Sequence, residues 1–175
     1  MTTPQLKLLY SRDTIAKEVE RLAQEISADF RGEEILFVCV LKGSFLFVAD
    51  LIRAVKIPAA IDFVRVASYG SETRSSGIVE IRKDLEMPLK GKNVIIVEDI
   101  IDSGHTIETL YHRLSLREPK VLKVCTLIDK TARREVDFQA DYVGLSMEDG
   151  FIIGYGLDLD ERYRNLNEIY TVESA

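Results

Sequence analysis

Apolar residues near the start of the chain follow the spacing of one helical face. Four apolar side chains within residues 13–28 recur at intervals of four, three and four, namely Ile15, Val19, Leu22 and Ile26. This spacing predicts a helix with one buried stripe, and Ser11 or Asp13 can cap its start. The continuous apolar run ILFVCVL at residues 35–41 is too short for a buried helix, so it predicts an interior strand.

Strand-like and helix-like segments continue to alternate after this run. The turn Lys42-Gly43-Ser44 leads into a second predicted helix, whose apolar positions are Phe45, Val48, Ala49 and Ile52. Further strands are predicted at residues 61–69, 78–81, 93–101, 121–128 and 142–147. A third helix follows residues 93–101 and is marked by Ile107, Leu110, Tyr111 and Leu114. The polar stretch between the strands at 61–69 and 78–81 is, on spacing alone, a solvated hairpin loop.

The order of strands and helices predicts an α/β domain with a parallel sheet. Ligands of such sheets bind beyond the carboxyl ends of the strands. Three unusual stretches lie at the carboxyl ends of predicted strands: Lys42-Gly43, residues 98–106, and Asp129-Lys130. We therefore expect the three to converge on one crevice.

Composition and charge narrow the classes of function. The chain has 175 residues, of which 46% are hydrophobic and 30% charged, which fits one globular domain over residues 1–175. The formal charge of −6 and the pI near 5.1 disfavour a broad nucleic-acid-binding face. They leave room for a local basic patch, or for a metal ion among the acids.

The location of the protein is predicted from its first residues and its cysteines. Residues 1–13 lack the basic segment and long apolar run of a signal peptide. No stretch approaches the roughly 18 apolar residues that a membrane-spanning helix needs. Cys39 and Cys125 lie in apolar runs, which predicts two buried thiols in a reducing compartment. We therefore expect a cytoplasmic protein with no membrane or nucleic-acid partner.

The segment VIIVEDIIDSGHT, residues 94–106, carries the most specific chemistry. Its turn joins a buried strand to a helix, so backbone N–H groups at the positive end of the helix dipole can bind a phosphate. Gly104 allows close approach, while Ser103 and Thr106 add hydroxyl groups. The turn matches neither a Walker loop nor a GxGxxG motif, so triphosphate and dinucleotide sites lose support.

Two adjacent acids, Glu98 and Asp99, precede this turn. Carboxylates repel a phosphate unless another group lies between them. A sugar phosphate satisfies both features, because its vicinal hydroxyls donate to the carboxylates while its phosphate rests on the turn. The segment therefore predicts a site for a phosphorylated sugar.

This segment closely resembles the ribose-phosphate-binding motif of the phosphoribosyltransferases. Asp102, three residues after Asp99, resembles the branch of the family that uses 6-oxopurines. The resemblance extends in order through four further segments: LKGSFLF (41–47), SYGSETRSSG (68–77), LIDKTARRE (127–135) and GFIIGYGLDLDERYRNL (150–166). It implies the type I phosphoribosyltransferase fold, a mostly parallel twisted sheet flanked by helices. It also implies a small hood subdomain, formed by the N-terminal and C-terminal segments.

The resemblance implies purine salvage, in which 5-phosphoribosyl 1-diphosphate (PRPP) and hypoxanthine or guanine give a nucleoside monophosphate and pyrophosphate. Glu98 and Asp99 would bind the ribose hydroxyls, and Ser103, Gly104, His105 and Thr106 the 5′-phosphate. Asp102 would be the general base near purine N7. The lone His105 is interpreted as a turn residue that contributes its N–H.

The resemblance also implies how the leaving group and the purine are bound. Lys42 and Gly43 would hold pyrophosphate in a loop that often has a cis peptide before the lysine, and Arg164 would reach the same group. Lys130 would donate to the 6-oxo group, which distinguishes such purines from adenine. Phe151 would stack on the base, and Ile152 would offer backbone groups to its edge.

Two further parts are implied by the family pattern. Mg²⁺ would be the cofactor, with one ion bound through water to Asp158 and a second near Glu98 and Asp99. Ser68 and Tyr69 match a dipeptide of the mobile lid, about residues 69–77, which revises the interpretation of the polar stretch. Oligomers are common in the family, which implies a homo-oligomer, a dimer or a tetramer.

Two alternatives remain open at this point. One is a phosphoribosyltransferase for another base, among which xanthine shares the 6-oxo group, whereas Lys130 and Asp102 disfavour adenine and uracil. The other is a regulator of the same fold that senses PRPP and binds RNA or DNA. The net charge of −6 weighs against the regulator.

Overall fold

A computed structural model describes residues 4–69 and 78–173. The first helix is α1 (Arg12–Asp29), capped by Ser11, whose hydroxyl accepts a hydrogen bond from the N–H of Thr14 at 3.2 Å. The other helices are α2 (Phe45–Ala54) and α3 (His105–Ser115). The strands are β1 (Gln5–Tyr10), β2 (Ile35–Leu41), β3 (Ala59–Tyr69), β4 (Ile78–Lys83), β5 (Asn93–Ile101), β6 (Val121–Lys130), β7 (Tyr142–Met147), β8 (Ile152–Ile153) and β9 (Ile169–Glu173).

Six strands form the main sheet, in the order β4-β3-β2-β5-β6-β7. The pairs from β3 to β7 are all parallel, and only the edge strand β4 runs antiparallel to its neighbour. The predicted α/β architecture with a parallel sheet is confirmed. Because β2, β5 and β6 are adjacent, their carboxyl ends lie side by side, and the loops that follow them share one edge of the sheet.

Two apolar cores lie on opposite faces of this sheet. One contains the buried stripe of α1 with Phe37 and Cys39 of β2, and the other contains Leu36, Val38 and the buried side of α3. Strands that alternate into two cores are apolar at every position, which explains the continuous run in β2. Cys39 and Cys125 are free thiols without solvent exposure, as predicted.

The second predicted helix is confirmed as α2, but the four apolar positions that marked it do not all lie on its buried face. α2 buries Phe47, Val48 and Leu51, whereas Phe45 and Ala49 are exposed. The sequence of α2, FLFVADLIRA, is apolar on more than one face, so its periodicity does not select a single stripe. Only packing against α1 and β2 determines which face is buried.

A second sheet of three strands, in the order β1-β9-β8, joins segments near the two ends of the chain. Both of its pairings are antiparallel. None of its strands was predicted from the sequence. β8 has only two residues, and β1 is largely exposed, so neither shows a clear pattern of buried positions.

Two expectations concern segments at the limits of the described chain. Ser68 and Tyr69 end β3, but only the backbone is described there. The remainder of the expected lid, residues 70–77, lies outside the described residues. Within the described ranges, no helix is long and apolar enough to cross a membrane.

Candidate functional site

The strand register brings the three unusual stretches together at one edge of the sheet. Cys39 of β2 pairs with Val97 of β5, so the turn after Leu41 lies beside the end of β5. Ile101 of β5 pairs with Asp129 of β6, which places Lys130 next to the turn before α3. The expected crevice is therefore formed by neighbouring strands.

Glu98 and Asp99 are buried carboxylates, each about 9% exposed. Asp99 Oδ1 accepts a hydrogen bond from the N–H of Ile100 at 3.0 Å. Burial raises the pKa of Glu98 well above its usual range, and repulsion by Asp99 raises it further. Burial also raises the pKa of Asp99. Two carboxyl groups held in this way gain from hydroxyl donors or a cation.

The turn between β5 and α3 borders a cavity of about 120 Å³. Glu98 lines this cavity together with residues 100–104 and 106–107. Gly104 precedes α3 with a φ of 92°, a left-handed conformation that glycine adopts without strain. The first N–H groups of α3 have no helical acceptor, so the turn can present them to an anion beside Glu98.

Asp102 lies between two cations. Its Oδ2 is 3.7 Å from Lys130 Nζ and 3.5 Å from an Nη atom of Arg133. Its other oxygen, Oδ1, is buried and has no hydrogen-bond partner among the described residues. Lys130 is only 5% exposed, so this lysine is a buried group and not the surface charge that it would be taken for in isolation.

Arg134 connects the segment after β6 to the turn before α3, and sequence reasoning did not identify it as a site residue. Its guanidinium donates to the carbonyl of Asp102 at 3.1 Å and forms an ion pair with Asp129. A Cβ at Gly104 would lie 2.9 Å from Arg134 Cδ and 2.6 Å from a methyl group of Val136. The only signal in the sequence was the basic pair Arg133-Arg134, which is ordinary for a surface loop.

The structure places the remaining predicted residues of the turn and the purine site as follows. His105 Nε2 lies 2.8 Å from Glu135 Oε2, so this ring binds a surface carboxylate. Met147 of β7 pairs with Lys130, and Phe151 follows Met147 by four residues. Phe151 is 52% exposed. Ile152 is buried in β8. Phe151 is thus an accessible ring and not a core residue.

The turn after β2 packs directly against the acids. The peptide bond between Leu41 and Lys42 is cis. A Cβ at Gly43 would lie 2.6 Å from Asp99 Cγ and closer still to Oδ2. A Cβ at Gly156 would overlap the carbonyl of Gly43. The backbone of the turn is therefore enclosed between Asp99 and the segment after β8.

Arg164 lies on the same side of the crevice. It donates to the carbonyl of Gly156 at 2.8 Å and forms ion pairs with Asp158 at 2.9 Å and Glu161 at 3.1 Å. The other carboxylate oxygen of Glu161 lies 2.8 Å from Lys42 Nζ. Glu161 was not singled out from the sequence, because acids are frequent in the run DLDER. Glu161 thus bridges Lys42 and Arg164, the two cations that were predicted to bind pyrophosphate.

Comparison with known proteins identifies the family. The profile of the phosphoribosyl transferase domain matches residues 6–160. The chain is 47% identical to the hypoxanthine-guanine phosphoribosyltransferase of Aquifex aeolicus, over 96% of this chain and 95% of that protein. It is 43% identical to the hypoxanthine-guanine phosphoribosyltransferase of Bacillus subtilis, over 97% and 94%.

A solved structure shows the same likeness in three dimensions. The crystal structure of a hypoxanthine-guanine phosphoribosyltransferase from Bacillus anthracis superposes with a TM-score of 0.93 at 48% identity, covering 98% of this chain and 100% of that one. Sequence and fold agree over nearly the whole length. The chain therefore belongs to the phosphoribosyltransferase family of transferases, and within it to the hypoxanthine-guanine branch.

Proposed function

We propose that this enzyme transfers the 5-phosphoribosyl group of PRPP to N9 of hypoxanthine or guanine. The products are IMP or GMP and pyrophosphate. The observation that carries this proposal is the junction of Gly43, Asp99 and the turn before α3. It supports the proposal because an acid pair, a cavity beside a helix start and a loop with a lysine lie next to one another, and a phosphorylated ribose with a diphosphate leaving group needs all three.

The proposed ribose-phosphate site comprises the acid pair and the turn that follows it. Glu98 and Asp99 accept hydrogen bonds from the ribose hydroxyls, which offsets the burial and the repulsion by Asp99 that raise the pKa of Glu98. The 5′-phosphate is bound by the turn: Ser103, Gly104, His105 and Thr106. Support comes from the position of Gly104 at the start of α3, where helix N–H groups and the helix dipole favour an anion.

The proposed purine site depends on Asp102 and Lys130. Lys130 donates to the 6-oxo group, and Asp102 accepts the proton from purine N7. Their separation of 3.7 Å places a donor and an acceptor next to each other, as the C6 and N7 edge of a 6-oxopurine requires. Phe151 stacks on the base, and Ile152 offers backbone groups to it. The exposure of the Phe151 ring supports that role.

Pyrophosphate and Mg²⁺ are proposed to bind on the opposite side of the ribose. Lys42, Gly43 and Arg164 hold the leaving group, and Asp158 binds one Mg²⁺ through water. Glu98 and Asp99 contribute to a second ion. Within the described ranges, no three acidic, histidine or cysteine side chains are grouped as a metal site. Mg²⁺ commonly keeps several waters and binds through one or two carboxylates and substrate phosphates. Mg²⁺ held by these residues would supply positive charge that offsets the charge of the leaving group.

Two further parts, a hood and a lid, belong to the same proposal. The three-stranded sheet β1-β9-β8 is proposed as the hood over the purine, since its strand β8 follows Phe151 directly. Ser68 and Tyr69, at the end of β3, are proposed to open the lid, about residues 69–77, that excludes water from the reacting atoms.

We also propose that the protein forms a homo-oligomer, a dimer or a tetramer, through the outer face of α2. This face borders an open crevice of about 660 Å³ that is lined mainly by apolar side chains: Phe45, Val48, Ala49, Ile52, Arg53, Ile61 and Phe63. A second copy of the chain is the proposed occupant. The Trypanosoma cruzi hypoxanthine phosphoribosyltransferase, a structural relative at 37% identity and a TM-score of 0.91, was solved in a study of its oligomeric state.

We propose a cytoplasmic location as well. The supporting observation is chemical: both cysteines are free and buried, and burial raises the pKa of the Cys39 thiol to about 11. Such thiols persist in a reducing compartment.

The experiment that tests the reaction is an assay of pyrophosphate release with Mg²⁺ and PRPP. Hypoxanthine, guanine, xanthine and adenine are supplied in turn. We expect turnover with hypoxanthine and guanine, little with adenine, and none when the metal is chelated. A protein that used only xanthine, only adenine, or no base would contradict the proposal.

A further inference from the structure

Glu161 occupies the space between the two cations that are proposed to bind pyrophosphate. Its Oε1 lies 2.8 Å from Lys42 Nζ, and its Oε2 lies 3.1 Å from Arg164 Nη2. Each oxygen of one carboxylate thus contacts a different cation. A diphosphate that binds the same two cations competes with this carboxylate for their N–H groups, and its negative charge is repelled by that of Glu161.

The two cations differ in what they retain when Glu161 leaves. Arg164 keeps an ion pair with Asp158 at 2.9 Å and a hydrogen bond to the carbonyl of Gly156 at 2.8 Å. Lys42 has no other ion pair or side-chain hydrogen bond among the described residues. Removal of the carboxylate therefore leaves Arg164 in place and frees Lys42 to bind another anion.

The backbone around Glu161 is held in an uncommon conformation. Asp160, Glu161 and Tyr163 all have positive φ values, of 50°, 61° and 70°, a region that residues other than glycine rarely adopt. The N–H of Glu161 donates to Asp158 Oδ2 at 2.9 Å, which holds the turn. Such conformations persist where the surrounding structure determines them, and they are frequent at ligand-binding segments.

We propose that Glu161 is an internal competitor of pyrophosphate, a residue that tunes the affinity of the site for PRPP and for the pyrophosphate product. The inference rests on the proposed function of Lys42 and Arg164. In the free enzyme, the single negative charge of Glu161 offsets part of the positive charge of Lys42 and Arg164. Its side chain is 63% exposed, so it can move into water when a diphosphate, which carries more charge, takes its place. The same competition opposes retention of the product.

The test uses Glu161→Gln, which removes the charge and keeps the size of the side chain. Binding of inorganic pyrophosphate with Mg²⁺ is measured by titration calorimetry on the full chain. We expect the variant to bind pyrophosphate about two- to five-fold more tightly, the size of effect typical of an exposed ion pair. The difference in affinity should shrink in 1 M salt, because the Debye length falls there to about 3 Å and charges are more strongly screened. Glu118→Gln, which removes a similar ion pair with Lys90, should bind pyrophosphate like the parent.

The inhibition constant of pyrophosphate and the KM for PRPP provide a second readout, and Glu161→Ala is a second variant. Both the inhibition constant and the KM should fall in Glu161→Gln and in Glu161→Ala. If pyrophosphate binds equally or more weakly to both, Glu161 assists binding or has no part in it, and the inference is overturned. If the parent itself neither binds pyrophosphate nor turns over hypoxanthine, the proposed function fails first, and the inference with it.

Discussion

The backbone of Gly43 lies against the carboxylate of Asp99, so closely that a Cβ at position 43 would be 2.6 Å from Asp99 Cγ. Asp99 is about 9% exposed, and its Oδ1 accepts from the N–H of Ile100. The carboxylate therefore has little room to move. This contact joins the end of β2 to the end of β5, and it fixes the distance between the proposed pyrophosphate loop and the proposed ribose site.

We expect Gly43→Ala to lower kcat/KM for PRPP by about 10²-fold, since a displacement of about 1 Å between substrate-positioning groups can cost that much. Steady-state kinetics with hypoxanthine would measure it. Gly32→Ala is the control: Gly32 has a φ of 81° but open space around it, so this change should cost stability without a change in KM. Parent-like kinetics in Gly43→Ala would show that the turn tolerates separation from Asp99.

Asp102→Asn should fold and bind PRPP but lose about 10²–10⁴-fold in kcat, the usual contribution of a general base. The fold should persist because the amide remains close to Lys130 and Arg133, which lie 3.7 and 3.5 Å from Asp102 Oδ2. Calorimetry with PRPP and rate measurements with hypoxanthine separate the two effects. Asp137→Asn, an exposed acid after β6, should retain the parent rate. Full activity in Asp102→Asn would remove this residue as the base.

Lys130→Met should lower kcat/KM for hypoxanthine by roughly 10- to 10²-fold, the effect of one lost hydrogen bond from a charged donor. Methionine nearly matches the length of the buried side chain, so the packing at this 5% exposed position should survive. The preference for hypoxanthine over adenine should narrow, because the donor that rejects an exocyclic amine is gone. Parent-like turnover with parent-like selectivity would rule out the proposed contact.

Glu98→Gln should stabilise the protein at neutral pH while lowering its activity. Burial raises the pKa of Glu98 in the folded state, so the folded chain binds this proton more tightly than the unfolded chain. The contribution of Glu98 to the free energy of unfolding is fully present below the pKa of the unfolded chain, near 4.3. This contribution decreases as the pH rises from that value to the raised pKa of the folded chain. A neutral amide at position 98 avoids this loss of stability. The expected gain in stability with a loss of activity is the trade-off that is common at functional sites.

Thermal unfolding without Mg²⁺, measured from pH 4 to pH 8, would test this pH dependence. The Tm of Glu98→Gln should exceed that of the parent by about 2–4 °C near pH 8, the shift that roughly 1 kcal/mol produces in a domain of this size. The two curves should converge toward pH 4. Glu118→Gln, at an exposed position, should show no such divergence. A constant difference between parent and Glu98→Gln across this range would contradict the assigned cause.

Ala49→Glu should convert the proposed oligomer into monomers. Ala49 is exposed on the outer face of α2, so a glutamate there leaves the core intact but buries a charge in any interface on this face. Light scattering after size-exclusion chromatography would give the mass. Ala16→Glu, an exposed position on α1, is the matched control and should assemble like the parent. A monomeric parent, or an Ala49→Glu protein of unchanged mass, would place any interface elsewhere.

The sequence predicted those helices and strands whose pattern of apolar residues matches the faces that they bury. The strand β2 and residues 94–97 of β5 are apolar at every position because both faces of these strands are buried, and α1 shows one stripe because it has one buried face. α2 illustrates the limit of this approach. Its residues are apolar on more than one face, so the identity of the buried face depends on neighbours that periodicity does not reveal.

By itself the sequence determined the α/β class, the acid pair before an anion-binding turn, and the family to which these features belong. Local spacing is enough for these, because a strand end and a helix start position their own residues. Only the tertiary structure decided that Arg134 donates to the carbonyl of Asp102 in the turn before α3 and that Gly43 contacts Asp99. It also decided that Glu161 bridges Lys42 and Arg164. Glu161 lies 119 residues from Lys42 along the chain, and a contact of that range depends on how the sheet is assembled and on no local pattern.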